Sequence, residues 1–149
     1  MKFKFEKSVV IKAGLRELFN FHLNTQNITI ISSPFPVIEK IEMSSNPLKT
    51  DSTVSLLLNF LIFRQNWIMK ISEVKPFEVV TDIQVKGPFK VWEHKHIFEE
   101  TNAGVKMTDN IIFSPPWGVI GLLTLPLLYL QLYLMFSDRH RRTRNFFER

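Results

Sequence analysis

The sequence predicts an α+β fold: a curved antiparallel sheet of about seven strands, in the order β-α-α-β-β-β-β-β-β-α, with a long C-terminal helix against it. Three observations predict it. Between Val37 and Ser114, six successive runs rich in β-branched or aromatic residues alternate with short stretches of turn chemistry. After Pro115-Pro116 the chain turns into one long apolar segment with no strand pattern. The composition is that of a packed core, with 149 residues of which 45% are hydrophobic and 22% charged. Such a chain has enough apolar surface to offset its conformational entropy, which excludes a disordered protein. No repeat or linker divides it, so residues 1–149 read as a single domain.

Lys2–Ile11 alternates at Phe3 and Phe5 and ends in Val9-Val10-Ile11, a strand pattern. Ala13–Leu23 carries Leu15, Leu18, Phe19 and His22 at helical spacing. A second short helix is expected over Asn24–Ser33, capped at Asn24 or Thr25 and ended by Ser33-Pro34-Phe35-Pro36. The six central strands are expected at Val37–Met43, Thr53–Phe63, Gln65–Val74, Glu78–Val85, Lys90–Glu99 and Val105–Phe113. Only the Phe63/Arg64 boundary lacks glycine or proline. Short connections between consecutive strands imply an antiparallel meander. The apolar segment after Pro116 reads as a helix that Pro126 either kinks or restarts.

Charge and residue usage narrow the function classes. The absence of cysteine excludes disulfide scaffolds, zinc-thiolate centres and cysteine nucleophiles, and fits a reducing, cytoplasmic compartment. The net charge of +5 is uneven, since Ser137–Arg149 holds five arginines against Asp138 and Glu148. The plainest reading of that tail is a solvated helix end whose cations oppose the helix dipole. Trp117–Phe136 is a stretch of twenty uncharged residues, long enough to cross a bilayer core, although Pro126 and Gln131 interrupt it. No phosphate loop, dinucleotide fingerprint or nucleophile elbow is present.

The run Asp82-Ile83-Gln84-Val85-Lys86-Gly87-Pro88-Phe89-Lys90-Val91-Trp92-Glu93-His94-Lys95-His96-Ile97-Phe98 resembles the START-like helix-grip (SRPBCC) superfamily, in its bacterial ligand-binding and polyketide cyclase/dehydrase-like branch. The likeness continues through Met107-Thr108-Asp109 and Pro116-Trp117-Gly118 to Arg139-His140-Arg141-Arg142, with weaker echoes at Phe21-His22 and Ser33-Pro34. Two features depart from that pattern: Asn102-Ala103-Gly104 replaces its usual loop, and Pro126 interrupts the final helix. The resemblance implies a helix-grip fold with a deep apolar cavity between the sheet and the last helix. It assigns Trp117–Phe136 to closing that cavity rather than to a bilayer. It implies no single reaction, because one fold hosts many functions.

The central strands carry the candidate site. Alternation puts Lys90, Trp92, His94, His96 and Phe98 on one strand face, and Val91, Glu93, Lys95 and Ile97 on the other. If the Gly87-Pro88 turn sets Gln84 opposite Trp92, Asp82 falls opposite His94. If the next turn sets Phe98 opposite Met107, His96 falls beside Asp109, and Ile111 continues that face. A slip of one residue would reverse the face. Trp67, Met69 and Ile71 alternate along another strand and are expected on the same wall. Leu123, Leu127, Leu130 and Leu134 run along the final helix, where Tyr129 and Tyr133 lie one turn apart. Their hydroxyls reach a ligand together or point to solvent.

Three readings of the polar cluster stay open. The His–Asp pairs tie strands together; or they orient the polar end of an apolar ligand; or they act as a general base or metal ligands, with His94, His96, Asp82 and Asp109 as candidates. His-x-His spacing alone is a weak metal signal, so neither metal nor cofactor is assigned. The leading reading is a binder of a small, mostly apolar lipid-, polyketide- or isoprenoid-like molecule. Its binding residues would be Trp67, Met69, Gln84, Trp92, His94, His96, Phe98, Met107, Asp109, Ile111, Tyr129 and Tyr133. The alternatives are a cyclase/dehydratase-type enzyme using a His–Asp pair, and a membrane-surface or partner-docking protein using residues 117–149. No nucleic-acid partner is expected, and a monomer or homodimer is.

Overall fold

The computed structural model describes the whole chain, Met1–Arg149. The strands are β1 (Phe3–Ile11), β2 (Val37–Met43), β3 (Thr53–Asn59), β4 (Arg64–Lys75), β5 (Val79–Lys86), β6 (Val91–Thr101) and β7 (Gly104–Ser114). The helices are α1 (Leu15–His22), α2 (Ile28–Ile31), α3 (Gly118–Leu123) and α4 (Leu125–Phe147), with a single 3-10 turn at Thr25–Asn27. Asn24 caps that turn, its side-chain oxygen accepting from the Gln26 amide at 3.0 Å.

All seven strands form one antiparallel sheet in the order β1-β7-β6-β5-β4-β3-β2. Consecutive strands from β2 to β7 are neighbours, as short turns require. The chain must cross from one sheet edge to the other between β1 and β2, and α1 and α2 carry that crossing. Register shifts at Ile68/Met69 and Ile71/Glu73 in β4, and at Ile38/Lys40 in β2, bend the sheet.

The β3–β4 turn differs from the sequence expectation. Strand β3 ends at Asn59, not Phe63, because the Asn59 side chain accepts from the Leu61 amide at 2.8 Å and Leu61 adopts a positive φ of 74°. This asparagine turn does the work of the missing glycine or proline. It leaves Leu61 and Ile62 exposed, while Phe60 and Phe63 stack with centroids 4.9 Å apart.

Two apolar clusters fill the concave side. One gathers Ile11, Leu18, Phe19, Phe98 and Met107 with the inner faces of β3 to β5. The other joins Phe5, Trp92, Ile111 and Phe113 to Leu132 and Phe136 of α4. Helix α4 buries the stripe Leu132, Phe136, His140 and Thr143, spaced so that they share one face. Pro126 sits in its first turn, where a missing amide costs nothing, so the proline starts a helix rather than kinking one. The preceding α3 stops at Thr124, whose hydroxyl donates to the Gly121 carbonyl at 2.6 Å. Glycine is required at 121 because a Cβ there would stand 1.8 Å from the Pro116 carbonyl oxygen. No helix is long and apolar enough to cross a membrane. Trp117, Leu123, Leu127, Leu130 and Leu134 nevertheless lie on the exposed side of α3 and α4.

Candidate binding site

The strands deliver the polar cluster in the register that the turns imply. Asp82 of β5 pairs opposite His94 of β6, and His96 opposite Asp109 of β7. Phe98 pairs opposite Met107, and His94 opposite Ile111. The alternation of β6 therefore sends Trp92, His94 and His96 inward, under Phe136 of α4, whose ring centroid is 5.3 Å from that of His94.

Asp109 is the hub. It is buried to 1% exposure and takes His94 Nε2 on Oδ1 at 2.7 Å and His140 Nε2 on Oδ2 at 2.5 Å. His96 Nδ1 stands 3.0 Å from the same Oδ1. Burial alone would raise the Asp109 carboxyl, but the hydrogen bonds from His140 and His94, with His96 beside them, hold it well below the usual carboxylate range. Burial, reinforced by His96, pushes the His94 imidazole down. Burial opposes charge on His96 as well, yet Asp109 and Asp82 beside it lift it to about 9. His22 of α1 packs against His96 with centroids 5.6 Å apart, and its Nδ1 donates to the Leu18 carbonyl at 2.8 Å. Burial and the neighbouring His96 lower it to about 4.

Asp82 is held more loosely than Asp109. It is 7% exposed, yet its Oδ1 has no hydrogen-bond partner. Its Oδ2 is 3.5 Å from His96 Nε2 and 3.7 Å from His94 Nδ1.

Asp82, His94 and His96 open onto an internal cavity of about 200 Å³ beneath α4. Its remaining wall is mostly apolar, including Leu56, Trp67, Met69, Ile71, Trp92 and Phe136. Donors on the lining residues with no partner within the protein include the Ser32 hydroxyl, the indole nitrogens of Trp67 and Trp92, and Nε of Arg139.

The expected binding residues thus divide. Trp67, Met69, Trp92, His94 and His96 line the cavity together with Asp82. Asp109 lies behind the two imidazoles, buried by them. Phe98, Met107 and Ile111 are buried in the packed clusters, where α1 and α4 cover the sheet tightly. Gln84 is turned to the Gly87-Pro88 connection, donating from Nε2 to the Phe89 carbonyl at 2.6 Å and accepting the Phe89 amide at 3.3 Å. Gly87 makes room for that clamp, since a Cβ there would meet Gln84 Oε1 at 2.4 Å. The two tyrosines face away from the cavity. Tyr129 donates its hydroxyl to the Lys4 carbonyl at 3.0 Å, and Tyr133 is exposed with Lys7 over its ring. Three participants were not among the expected site residues: His22, Arg139 and His140. For His140 a signal existed, the i, i+4, i+8 stripe Leu132, Phe136, His140, masked by leucines on every other face of the helix.

No family model matches the chain, and no curated protein matches it in sequence. Solved structures do match over its full length. Ara h 8.0201 superposes with a TM-score of 0.73 at 13% identity, covering 98% of this chain and 97% of that one. Ginseng major latex-like protein 151 from Panax ginseng gives 0.70 at 14%, covering 99% and 98%. The di-domain ARO/CYC StfQ of the steffimycin biosynthetic pathway gives 0.75 at 10%, with 99% of this chain on 51% of that one. The fold is the START-like helix grip. At these identities the likeness is one of architecture. The helix grip here is β1 to β7 closed over α4, and its cavity carries the cluster just described.

Proposed function

We propose that this helix-grip protein binds a small, mostly apolar molecule that presents acceptor oxygens to the polar end of its cavity. The observation that carries this reading is the combination of an apolar wall with partnerless donors on Ser32, Trp67, Trp92 and Arg139. A buried donor left unpaired costs about 1–3 kcal/mol, and a ligand oxygen recovers it. Volume limits the ligand. An apolar cavity of about 150 Å³ suffices for benzene, so about 200 Å³ suits a compact ring system or a short isoprenoid-like chain rather than a whole long-chain lipid.

Two measurements test the reading. Native mass spectrometry on protein isolated without detergent is expected to show a resident small mass lost on denaturation, or an apo chain that takes up the apolar dye anilinonaphthalene sulfonate. Dye binding is expected to alter the fluorescence of Trp67 and Trp92 and to weaken in Val54→Trp, which fills the cavity. A chain with no resident mass, whose dye binding is absent or indifferent to that filling, would overturn it.

A second reading has its own support. His94 and His96 face the cavity with ring centroids 3.9 Å apart and a carboxylate behind them, an arrangement suited to proton transfer in a cyclase- or dehydratase-type reaction. Turnover abolished in His94→Gln with ligand affinity retained would favour it over simple binding.

A further inference from the structure

Of the two carboxylates in the His–Asp web, Asp82 is the one left unsatisfied. Asp109 accepts from His94 and His140 and is in contact with His96, so its charge is fully met. Asp82 is buried with its Oδ1 unpartnered, and its Oδ2 meets the two imidazoles only at 3.5 and 3.7 Å. A buried ionised carboxylate with no donor costs several kcal/mol. A network built only to tie strands together would have closed the 3.5 and 3.7 Å gaps to the two imidazoles.

Those gaps have the size of a coordination edge. Zinc bonds to imidazole nitrogen and carboxylate oxygen of about 2.0–2.2 Å put tetrahedral ligand atoms roughly 3.3–3.6 Å apart. One ligand atom each from Asp82, His94 and His96 already lies within 4.8 Å of the other two. The nitrogens turned towards Asp82 are His94 Nδ1 and His96 Nε2. The opposite nitrogens, His94 Nε2 and His96 Nδ1, both face Asp109 Oδ1 at 2.7 and 3.0 Å. A metal-bound imidazole characteristically gives its other nitrogen to a carboxylate, which fixes the ring and its tautomer. Here one carboxylate serves both rings and is itself pinned by His140 from α4.

We propose that Asp82, His94 and His96 form a binding site for a divalent transition-metal ion at the polar end of the cavity, with Asp109 as their shared orienting carboxylate. Two imidazoles and one carboxylate suit zinc or iron(II) rather than magnesium or calcium, which prefer all-oxygen sets. Two carboxylates, Asp82 and Asp109, face two added charges, with Arg139 and the imidazoles of His22 and His140 the other ionisable groups around them. All three ligands line the cavity, so the ion keeps a position open to an oxygen of whatever enters. The site does not depend on the binder reading, because it is complete without a cavity ligand.

The test uses the whole chain after chelator treatment, titrated with zinc by calorimetry and with cobalt(II) by visible absorption. One ion per chain is expected, with the absorption of a low-coordinate nitrogen–oxygen site. Binding should fall at least about tenfold in Asp82→Asn and His94→Gln, and about 10–100-fold in Asp109→Asn, which loses orientation but no ligand. Failure of the wild-type chain to bind one ion, or binding undiminished in folded Asp82→Asn and His94→Gln, would overturn the proposal. Should a variant fail to fold, paramagnetic broadening by cobalt in the wild-type chain decides: confined to the His94 and His96 rings and their neighbours it supports the site, and centred elsewhere it refutes it.

Discussion

At the scale of single residues, two buried aspartates 27 positions apart in sequence have opposite duties. Asp109 is a structural charge, ringed by imidazoles from two elements, β6 and α4. Removing one partner of such a group leaves the others unpaired, and Asp109→Ala is expected to cost about 3–5 kcal/mol in urea denaturation. Asp82 leaves its Oδ1 unpartnered and meets the imidazoles only at 3.5 and 3.7 Å, so Asp82→Asn, which also relieves a buried charge, should destabilise the chain far less than Asp109→Ala. A large loss in both would place Asp82 inside the structural web. This division could not be read in the sequence. Strand alternation and turn positions placed Asp82, His94, His96 and Asp109 on one face, because the side-chain period of a strand is fixed and short turns leave few registers. Which aspartate sits behind the histidines and which before them depends on what covers the sheet. That cover comes from His140 and Phe136, some thirty residues further on.

At the scale of elements, α4 shows why the rest of the site was hidden. Its first half is apolar on all sides, so periodicity could not say whether Tyr129 and Tyr133 or Leu132 and Phe136 face inward. The direction of the helix is fixed instead by polar ties: Tyr129 to the β1 backbone, His140 to Asp109, and Asp138 to the segment after α2. Asp138 accepts from Ser33, from Arg141 and, at 2.7 Å, from Arg142 Nε. The Ser33 bond, with the two arginines, holds the Asp138 carboxyl down to about 2. In the unfolded chain an aspartate titrates near about 3.9. A depressed folded value means that this contribution is complete above about pH 4–5 and lost as pH falls towards 2. Asp138→Asn should therefore lower the urea midpoint at neutral pH, and the difference from the parent should shrink across that acidic window. A difference independent of pH would mean that the tie owes nothing to charge. The same tie involves Ser33, a cavity-lining residue, so the variant is also expected to loosen the wall between α2 and α4 and speed dye exchange in stopped flow.

At the scale of the whole molecule, the question is what the apolar C-terminal segment is for. Trp117–Phe136 has the length of a bilayer span but not the continuity, because α3 ends at Thr124 and Pro126 opens a new helix. One face of that helix completes the core: Phe136 touches Phe5 and His94, and Leu132 joins the same cluster. The opposite face, with Leu127, Leu130 and Leu134 at 53–67% exposure, joins neither apolar cluster. The two faces predict different costs. Phe136→Ala removes a fully buried ring between sheet and helix and should cost about 3–5 kcal/mol while unroofing the cavity. Leu127→Glu with Leu134→Glu exchanges exposed apolar surface for charge, and each should change stability by no more than about 0.5 kcal/mol. Paired urea melts of the two variants measure this directly. If α4 is the grip that closes the sheet, the inward change destabilises and abolishes dye binding, and the outward pair leaves both untouched. If the outward pair instead unfolds the chain, the leucines at 127 and 134 are held by a surface that the protein supplies only in assembly, and the helix has two covers rather than one.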